Sequence, residues 1–303
     1  NDQGIYAERK ELGRLLAEPV MSMLENNLPD TVFSYVPNTA STSFYGLIDG
    51  IHEIRLKIQA EALKGLNINE NLEKVDEILS WRPRREKILV KDVKMRTFIT
   101  NDTDREDLVT HVYDITYGVV KSWKDTLVIM DDSVVRGTTL KTSILRLLDR
   151  LEPKRIILVS SAPQIRYPDC YGIDMSKLGD FAAFRAAVQL HKERGNESIL
   201  DEIYQEALIE LQKPHEEQRN VVKDLYADLD EGDVSSKIAE MVRPANVRFQ
   251  FDMLFQTVDN LHKACPNDLG DWYFTGDYPT PGGTAVANRS FAYYYEGRKE
   301  RAY

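Results

Sequence analysis

The sequence predicts an α/β fold, a mainly parallel sheet flanked by helices, and three observations carry that prediction. Thr126-Leu127-Val128-Ile129-Met130 is an unbroken apolar and β-branched run, the pattern of a strand buried on both faces. Arg155-Ile156-Ile157-Leu158-Val159-Ser160-Ser161 repeats the pattern. Between them, Leu140 to Leu151 has apolar residues at 140, 144, 147, 148 and 151, the spacing of a helix with one buried face. A chain that alternates buried strands with such helices builds a layered α/β sheet.

The junction between the first strand and its helix is unusually polar. Asp131 and Asp132 end the strand, Ser133-Val134-Val135-Arg136-Gly137 follows, and Thr138-Thr139 leads into the helix. Backbone N–H groups and two hydroxyls thus stand at the positive end of a helix, where a phosphate binds well. The two carboxylates lie at the carboxyl end of a strand, where open α/β sheets bind ligands. A capped helix needs one Asp, Ser or Thr and not this crowd. A loop that holds phosphate beside carboxylates that hold a diol would recognise a phosphorylated ribose. The string resembles the phosphoribosyl pyrophosphate (PRPP) motif of type I phosphoribosyltransferases. Its form, Asp-Asp-Ser-Val-Val-Arg-Gly-Thr-Thr, is closest to that of the amidophosphoribosyltransferases, the glutamine PRPP amidotransferases.

Composition narrows the classes. The chain has 303 residues, 42% of them hydrophobic, enough for one large or two small domains with a real core. It has no apolar run of 18 residues or more, so no membrane span is expected. The polar stretch from Asn1 is not a secretory signal, and only two cysteines, Cys170 and Cys265, are present. A reducing, cytoplasmic setting is therefore expected. The net charge of −10 argues against a nucleic-acid partner.

In chain order, residues 5 to 25 are expected to form a helix with Leu12, Leu15, Leu16 and Val20 on one face. Its opening, Tyr6 to Gly13, resembles the helix that begins the transferase half of the amidophosphoribosyltransferases. Thr31 to Val36 reads as a strand, followed by the small polar cluster Pro37-Asn38-Thr39-Ala40-Ser41. Such a cluster can form an anion-binding nest of N–H groups, and it resembles the pyrophosphate loop of the family. Phe44 to Leu63 continues as a helix. Residues 64 to 87 are polar and irregular, with the arginines of Trp81-Arg82-Pro83-Arg84-Arg85 read as solvated surface. Asn101 to Lys124 reads as a linking segment plus a helix. Between 176 and 243 the charged residues, with Ile199, Ile203, Leu208 and Leu211 at helical spacing, predict extra surface helices. His191 and His215 are expected to face solvent there. Met253 to Leu261 is expected to be a terminal helix.

Three more segments carry the resemblance. Arg96-Thr97-Phe98-Ile99 matches the end of the family's mobile loop, although Met95 replaces its Gly and Val93 its Tyr. Lys91 and Lys94 match that loop by charge and proximity. Ser160 to Asp174 is similar, almost residue for residue, to a Ser-Ser-Ala-Pro segment that belongs to amidophosphoribosyltransferases and not to salvage enzymes. Asp271 to Pro279 is similar to the closing tail of the family. The resemblance covers roughly residues 5 to 175 and 245 to 280.

The resemblance implies a type I phosphoribosyltransferase-like core over 1–175, a helical insertion over 176–243, and a C-terminal hood or tail over 244–303. It implies displacement of pyrophosphate from C1 of PRPP by ammonia, the first step of de novo purine synthesis. Asp131, Asp132 and Arg96 would act on the reacting groups. PRPP would be bound by Pro37, Asn38, Thr39, Ala40 and Ser41, by Ser133, Val134, Val135, Arg136, Gly137, Thr138 and Thr139, and by Pro163, Ile165 and Arg166. Asn38 stands where the family commonly has an acidic residue. Mg²⁺ would be held by Thr39, Asp131 and Asp132. Some members hold an iron–sulfur cluster on four cysteines. Here Asp169, Gly270 and Tyr273 occupy the corresponding positions, so no cluster is expected. The family also carries a glutaminase half with a cysteine at its mature N-terminus. This chain begins with Asn1, so that half, the source of ammonia from glutamine, is expected to be absent. A homo-oligomer and inhibition by purine nucleotides would follow the family pattern. Three alternatives stay open: a salvage enzyme using a nucleobase, a non-catalytic PRPP-binding regulator, and an inactive paralogue.

Overall fold

The structure, a computed structural model, describes residues 4–67, 70–91, 113–172, 175–267 and 270–302. The chain divides into two compact units. The first comprises Asn1–Asp132, Thr139–Ser161 and Pro244–Gln256; the second comprises Ser133–Thr138, Ala162–Arg243 and Thr257–Tyr303. This division differs from the expected boundaries at 175 and 243. Residues 162–175 group with the helical segments, and 244–256 returns to the sheet.

The first unit is a five-stranded parallel sheet. Its strands are β1 (Thr31–Tyr35), β2 (Arg84–Arg85), β5 (Thr126–Asp131), β6 (Arg155–Ser160) and β7 (Gln250–Phe255), in the order β2-β1-β5-β6-β7. Leu127, Val128, Ile129 and Met130 of β5 are fully buried, and so are Ile156 to Val159 of β6. Side chains alternate across the sheet, so continuous apolar runs here require cover on both faces, as expected from the sequence. On one face Phe33, Val128, Met130, Ile157 and Val159 form a core with α2 (Ala17–Met23) and α3 (Ser41–Leu63). The expected helix over 5–25 is two helices, α1 (Ile5–Leu15) and α2, that meet at Leu16. α1 lies so close to α3 that a Cβ on Gly13 would stand 1.7 Å from the Ser43 carbonyl oxygen, and one on Gly46 1.7 Å from that of Lys10.

Several expectations are corrected. Residues 253–255 are not helical. They end β7, in which Phe251, Met253 and Phe255 are buried and alternate with partly exposed neighbours. That period of two marks an edge strand. The following helix starts only at Val258, where the Thr257 hydroxyl accepts the Asn260 N–H at 3.1 Å. Arg84 is not a solvated arginine: it donates to Asp125 Oδ2 at 2.8 Å, and the Asp125 side chain is fully buried. A short helix, α4 (Leu72–Ser80), lies in the stretch read as irregular. Asn101 to Lys124 was expected to be a linking segment plus a helix; of its described part, residues 113–115 form a strand, β4 (Tyr113–Ile115), paired antiparallel with β3 (Leu89–Lys91), and residues 116–124 are not helical. Ile88 anchors that pair, donating its N–H to Ser34 Oγ at 3.1 Å. Residues 92–112 lie outside the described residues, and with them Val93, Lys94, Met95 and Arg96.

The second unit is helical: α6 (Ala182–Glu193), α7 (Ser198–Glu210), α8 (Glu231–Val242), α9 (Val258–Ala264), α10 (Trp272–Thr275) and α11 (Pro281–Tyr295). Its aromatic core explains the ring-rich C-terminus. Phe181, Phe184 and Phe291 are fully buried, and the Phe184 ring meets that of Tyr294 edge-on at 4.7 Å. His191 does not face solvent. It follows Phe184, Ala187 and Val188 on one face of α6, is 2% exposed, and its Nε2 lies 2.8 Å from the Leu225 carbonyl oxygen. Among the described residues no helix is long and apolar enough to cross a membrane.

Candidate functional site

β1 and β5 are neighbours in the sheet and run parallel, with Tyr35 opposite Met130 and the Val36 N–H bonded to the Met130 carbonyl at 2.8 Å. Whatever follows each strand therefore emerges at the same edge of the sheet, the edge where parallel sheets bind ligands. After β1 comes the turn Pro37 to Ala40, in which the Pro37–Asn38 peptide is cis. Pro37 and Ala40 are buried and anchor the turn, while Asn38 and Thr39 are exposed. Ser41 donates its N–H to the Asn38 carbonyl at 3.3 Å and opens α3.

After β5 come the carboxylates. Asp131 is the last strand residue, opposite Ser160 of β6, and its Oδ1 accepts the Asp132 N–H at 2.9 Å. Ser161 holds both backbones: its N–H donates to the Asp131 carbonyl at 2.9 Å and its hydroxyl to that of Asp132 at 3.2 Å. Burial, and then the charge of Asp132, push the Asp131 carboxyl up to about 7. Two adjacent carboxylates form a donor set suited to a hard divalent cation. Among the described residues no group of three or more His, Cys, Asp or Glu side chains gathers for a metal. Magnesium binds in just this way, through one or two carboxylates with substrate oxygens and water completing the shell. Tyr113 of β4 is also part of this group. Burial, then Asp131 and Asp132, raise its phenol above the ordinary range. Lys91 of β3 stands 6.0 Å from the Tyr113 ring centroid. Tyr113 could not be singled out beforehand, because a single aromatic in a three-residue strand has no period to read.

The loop Ser133–Thr138 belongs to the helical unit. Its carbonyls are turned onto α6: the Ala182 N–H donates to Val135 at 2.8 Å, and Arg185 Nη2 donates to Arg136 at 2.7 Å. The Arg136 guanidinium lies 3.7 Å from Asp180. Gly137 has φ +73°, and a Cβ there would stand 2.5 Å from Val242 Cγ1, so glycine is required twice over. Val134 is buried, and Thr138 and Thr139 are exposed. The expected α-helix over 140–151 opens instead as a π-helical turn, Leu140–Ile144, before α5 (Leu145–Asp149). Such turns are frequent at functional sites.

Pro163 and Ile165 are buried. The Arg166 guanidinium is engaged within its own unit, 2.9 Å from Gln164 Oε1, 3.2 Å from Glu231 Oε1 and 4.9 Å from the Tyr226 ring centroid. The structure thus brings Pro37 to Ser41 to one sheet edge with Asp131 and Asp132. Arg96 lies outside the described residues.

No protein-family model matches the chain. Over 67 residues it is 39% identical to an amidophosphoribosyltransferase of Pasteurella multocida (strain Pm70), a match covering 22% of this chain and 13% of that protein. Over 198 residues it is 28% identical to the amidophosphoribosyltransferase of Lachancea kluyveri, covering 65% of this chain and 32% of that one. A solved glutamine PRPP amidotransferase from B. subtilis, complexed with ADP and GMP, aligns with 91% of this chain and 43% of its own, at 21% identity and a TM-score of 0.47. The chain spans less than a third of the length of these two curated relatives. In sequence it is similar to part of the amidophosphoribosyltransferases.

Proposed function

We propose that the chain is a phosphoribosyltransferase of the amidophosphoribosyltransferase type, which displaces pyrophosphate from C1 of PRPP with ammonia to give 5-phosphoribosylamine. One observation carries this reading. The acidic pair that begins the Asp131–Thr139 string leaves the central strand beside the Pro37–Ser41 turn of the neighbouring strand. A ribose diol and a pyrophosphate need receptors spaced in that way.

In this reading Asp131 and Asp132 take the ribose hydroxyls, and their charge favours the cation that develops at C1 as pyrophosphate leaves. Ser133 to Thr139 take the 5′-phosphate through N–H groups and hydroxyls. Pro37 to Ser41 hold the pyrophosphate, and the resemblance gives Arg96 the same task. When bound, Mg²⁺ would sit on Asp131, Asp132 and Thr39 and neutralise the leaving group. The protein does little covalent chemistry; positioning and electrostatics lower the barrier. The Pro163–Arg166 segment shapes the place where ammonia attacks. We also propose that no iron–sulfur cluster is held: Asp169 and Tyr273, which stand where cluster-bearing members have cysteines, hydrogen-bond to each other at 2.8 Å.

The test is pyrophosphate release by the purified chain, with PRPP and Mg²⁺, as ammonium or a purine base is added in turn. Ammonium-dependent release that climbs with pH, as NH₃ replaces NH₄⁺, is expected. Release that follows the base and ignores ammonium would reassign the chain to salvage. No PRPP binding at all would remove the reading.

A further inference from the structure

We infer that Arg185, on the first turn of α6, is a positioning residue for the phosphate loop. This rests on the reading of Ser133–Thr138 as the 5′-phosphate receptor. Arg185 lies far from the Asp131–Thr139 string in sequence, and its guanidinium reaches the loop at the Arg136 carbonyl, 2.7 Å from Nη2.

The argument starts from the peptide plane. In a trans peptide the carbonyl and the following N–H point in opposite directions. A loop that presents N–H groups to an anion must therefore send its carbonyls the other way, and each carbonyl needs a donor there. Two consecutive carbonyls meet that need on α6. The Ala182 N–H takes that of Val135 at 2.8 Å, which fixes the direction of the Arg136 N–H. Arg185 takes that of Arg136, which fixes the direction of the Gly137 N–H. Both N–H groups then face away from α6. Gly137 has a left-handed φ of +73°, and a Cβ there would stand 2.5 Å from Val242 Cγ1 and 4.0 Å from Ala182 Cβ, so the backbone lies close against its neighbours at this point. The backbone donor from Ala182 is removed only by proline, which also constrains the start of the helix; the side chain of Arg185 can be replaced without that change.

Arg185 does not touch the phosphate in this account. Without it the Arg136–Gly137 peptide loses one of the contacts that orient it, and part of the binding energy is spent on restoring that orientation. Position 185 is exposed on α6, so its replacement leaves the helix core intact.

The test compares Arg185→Met, which keeps the aliphatic stem and loses the donor, with Arg185→Lys, which can still donate to a carbonyl. Calorimetry would use PRPP, ribose 5-phosphate and inorganic pyrophosphate as probes, with Mg²⁺ present. Arg185→Met is expected to weaken PRPP and ribose 5-phosphate by about tenfold, the scale of one charge-assisted hydrogen bond. Pyrophosphate affinity is expected to stay at the wild-type value, and Arg185→Lys to recover most of the loss. Unchanged ribose 5-phosphate binding by Arg185→Met overturns the inference while leaving the PRPP reading intact. Equal weakening of pyrophosphate overturns it too, because the effect would then be general. If the wild-type chain binds neither PRPP nor ribose 5-phosphate, the functional reading itself fails and this inference falls with it.

Discussion

Asp131 ends β5 with its carboxyl pushed up to about 7, because burial and the charge of Asp132 both oppose ionisation. The ordinary carboxyl value is 3.8, so the native state holds the proton more tightly than the unfolded chain does. The stabilisation from that proton is complete below about pH 4 and is lost as the pH rises towards 7. Above that point the folded protein carries a charge it resists. Asp131→Asn removes the charge and keeps the shape. In metal-free buffer it is expected to stabilise the protein, by an amount that grows from pH 5 to pH 8 and reaches on the order of 2 kcal/mol. Denaturant midpoints across that range measure it, and a destabilised variant at pH 8 would show that the carboxylate is a structural group. Ammonia-dependent pyrophosphate release is expected to fall by about 10²–10³-fold, as when one electrostatic contact to a transition state is lost. Both outcomes together, stability gained and activity lost, are what replacing a functional group is expected to produce.

α1 and α3 meet through glycine, and the contact tests how tightly the sheet unit is packed. A Cβ on Gly13 would stand 1.7 Å from a backbone oxygen of Ser43, which cannot move aside as a side-chain tip can. Gly13→Ala is therefore expected to cost about 3 kcal/mol, the upper part of the overpacking range. Gly65→Ala, with nothing within 4 Å, is expected to change little. Urea midpoints of the two variants provide the comparison, and equal midpoints would mean that the helices can part freely. The same elements show what sequence can and cannot tell. β5 and β6 were legible because strands buried on both faces leave a continuous apolar run. β7 was not, because its alternating burial blends into the helix that follows. α11 was not singled out within the expected C-terminal hood or tail, although Pro281 at its first turn is a helix-start signal. At the site, Asp131 to Thr139 was legible as one crowded string. Tyr113 and Arg185 were not, since each comes from an element distant in sequence and only folding gives it a role. Arg84 was misread for the same reason: its partner Asp125 lies 41 residues away.

For the whole molecule, 39 Lys and Arg stand against 49 Asp and Glu, a net charge of −10, while the proposed substrate is a polyanion. Long-range repulsion does not decide the outcome, because charges beyond about 8 Å are screened at physiological salt. The local balance does. Ser133 to Thr139 can offer N–H groups and hydroxyls to the 5′-phosphate, a receptor that needs no metal. In the proposed binding mode the pyrophosphate, at the other end of the substrate, approaches the sheet edge that carries Asp131 and Asp132, and two carboxylates facing a pyrophosphate are repulsive unless a cation lies between them. The two halves of PRPP are therefore expected to differ in their dependence on metal. Calorimetry in Mg²⁺ and in EDTA is expected to show PRPP binding at least about tenfold more weakly without the metal, since a loss of 1.4 kcal/mol or more is modest for one uncompensated contact of this kind. Ribose 5-phosphate, which lacks the pyrophosphate, is expected to bind with nearly the same affinity in both buffers. Equal PRPP affinity with and without Mg²⁺ would take the metal out of the mechanism. Equal losses for the two ligands would mean that the cation supports the fold and not the pyrophosphate.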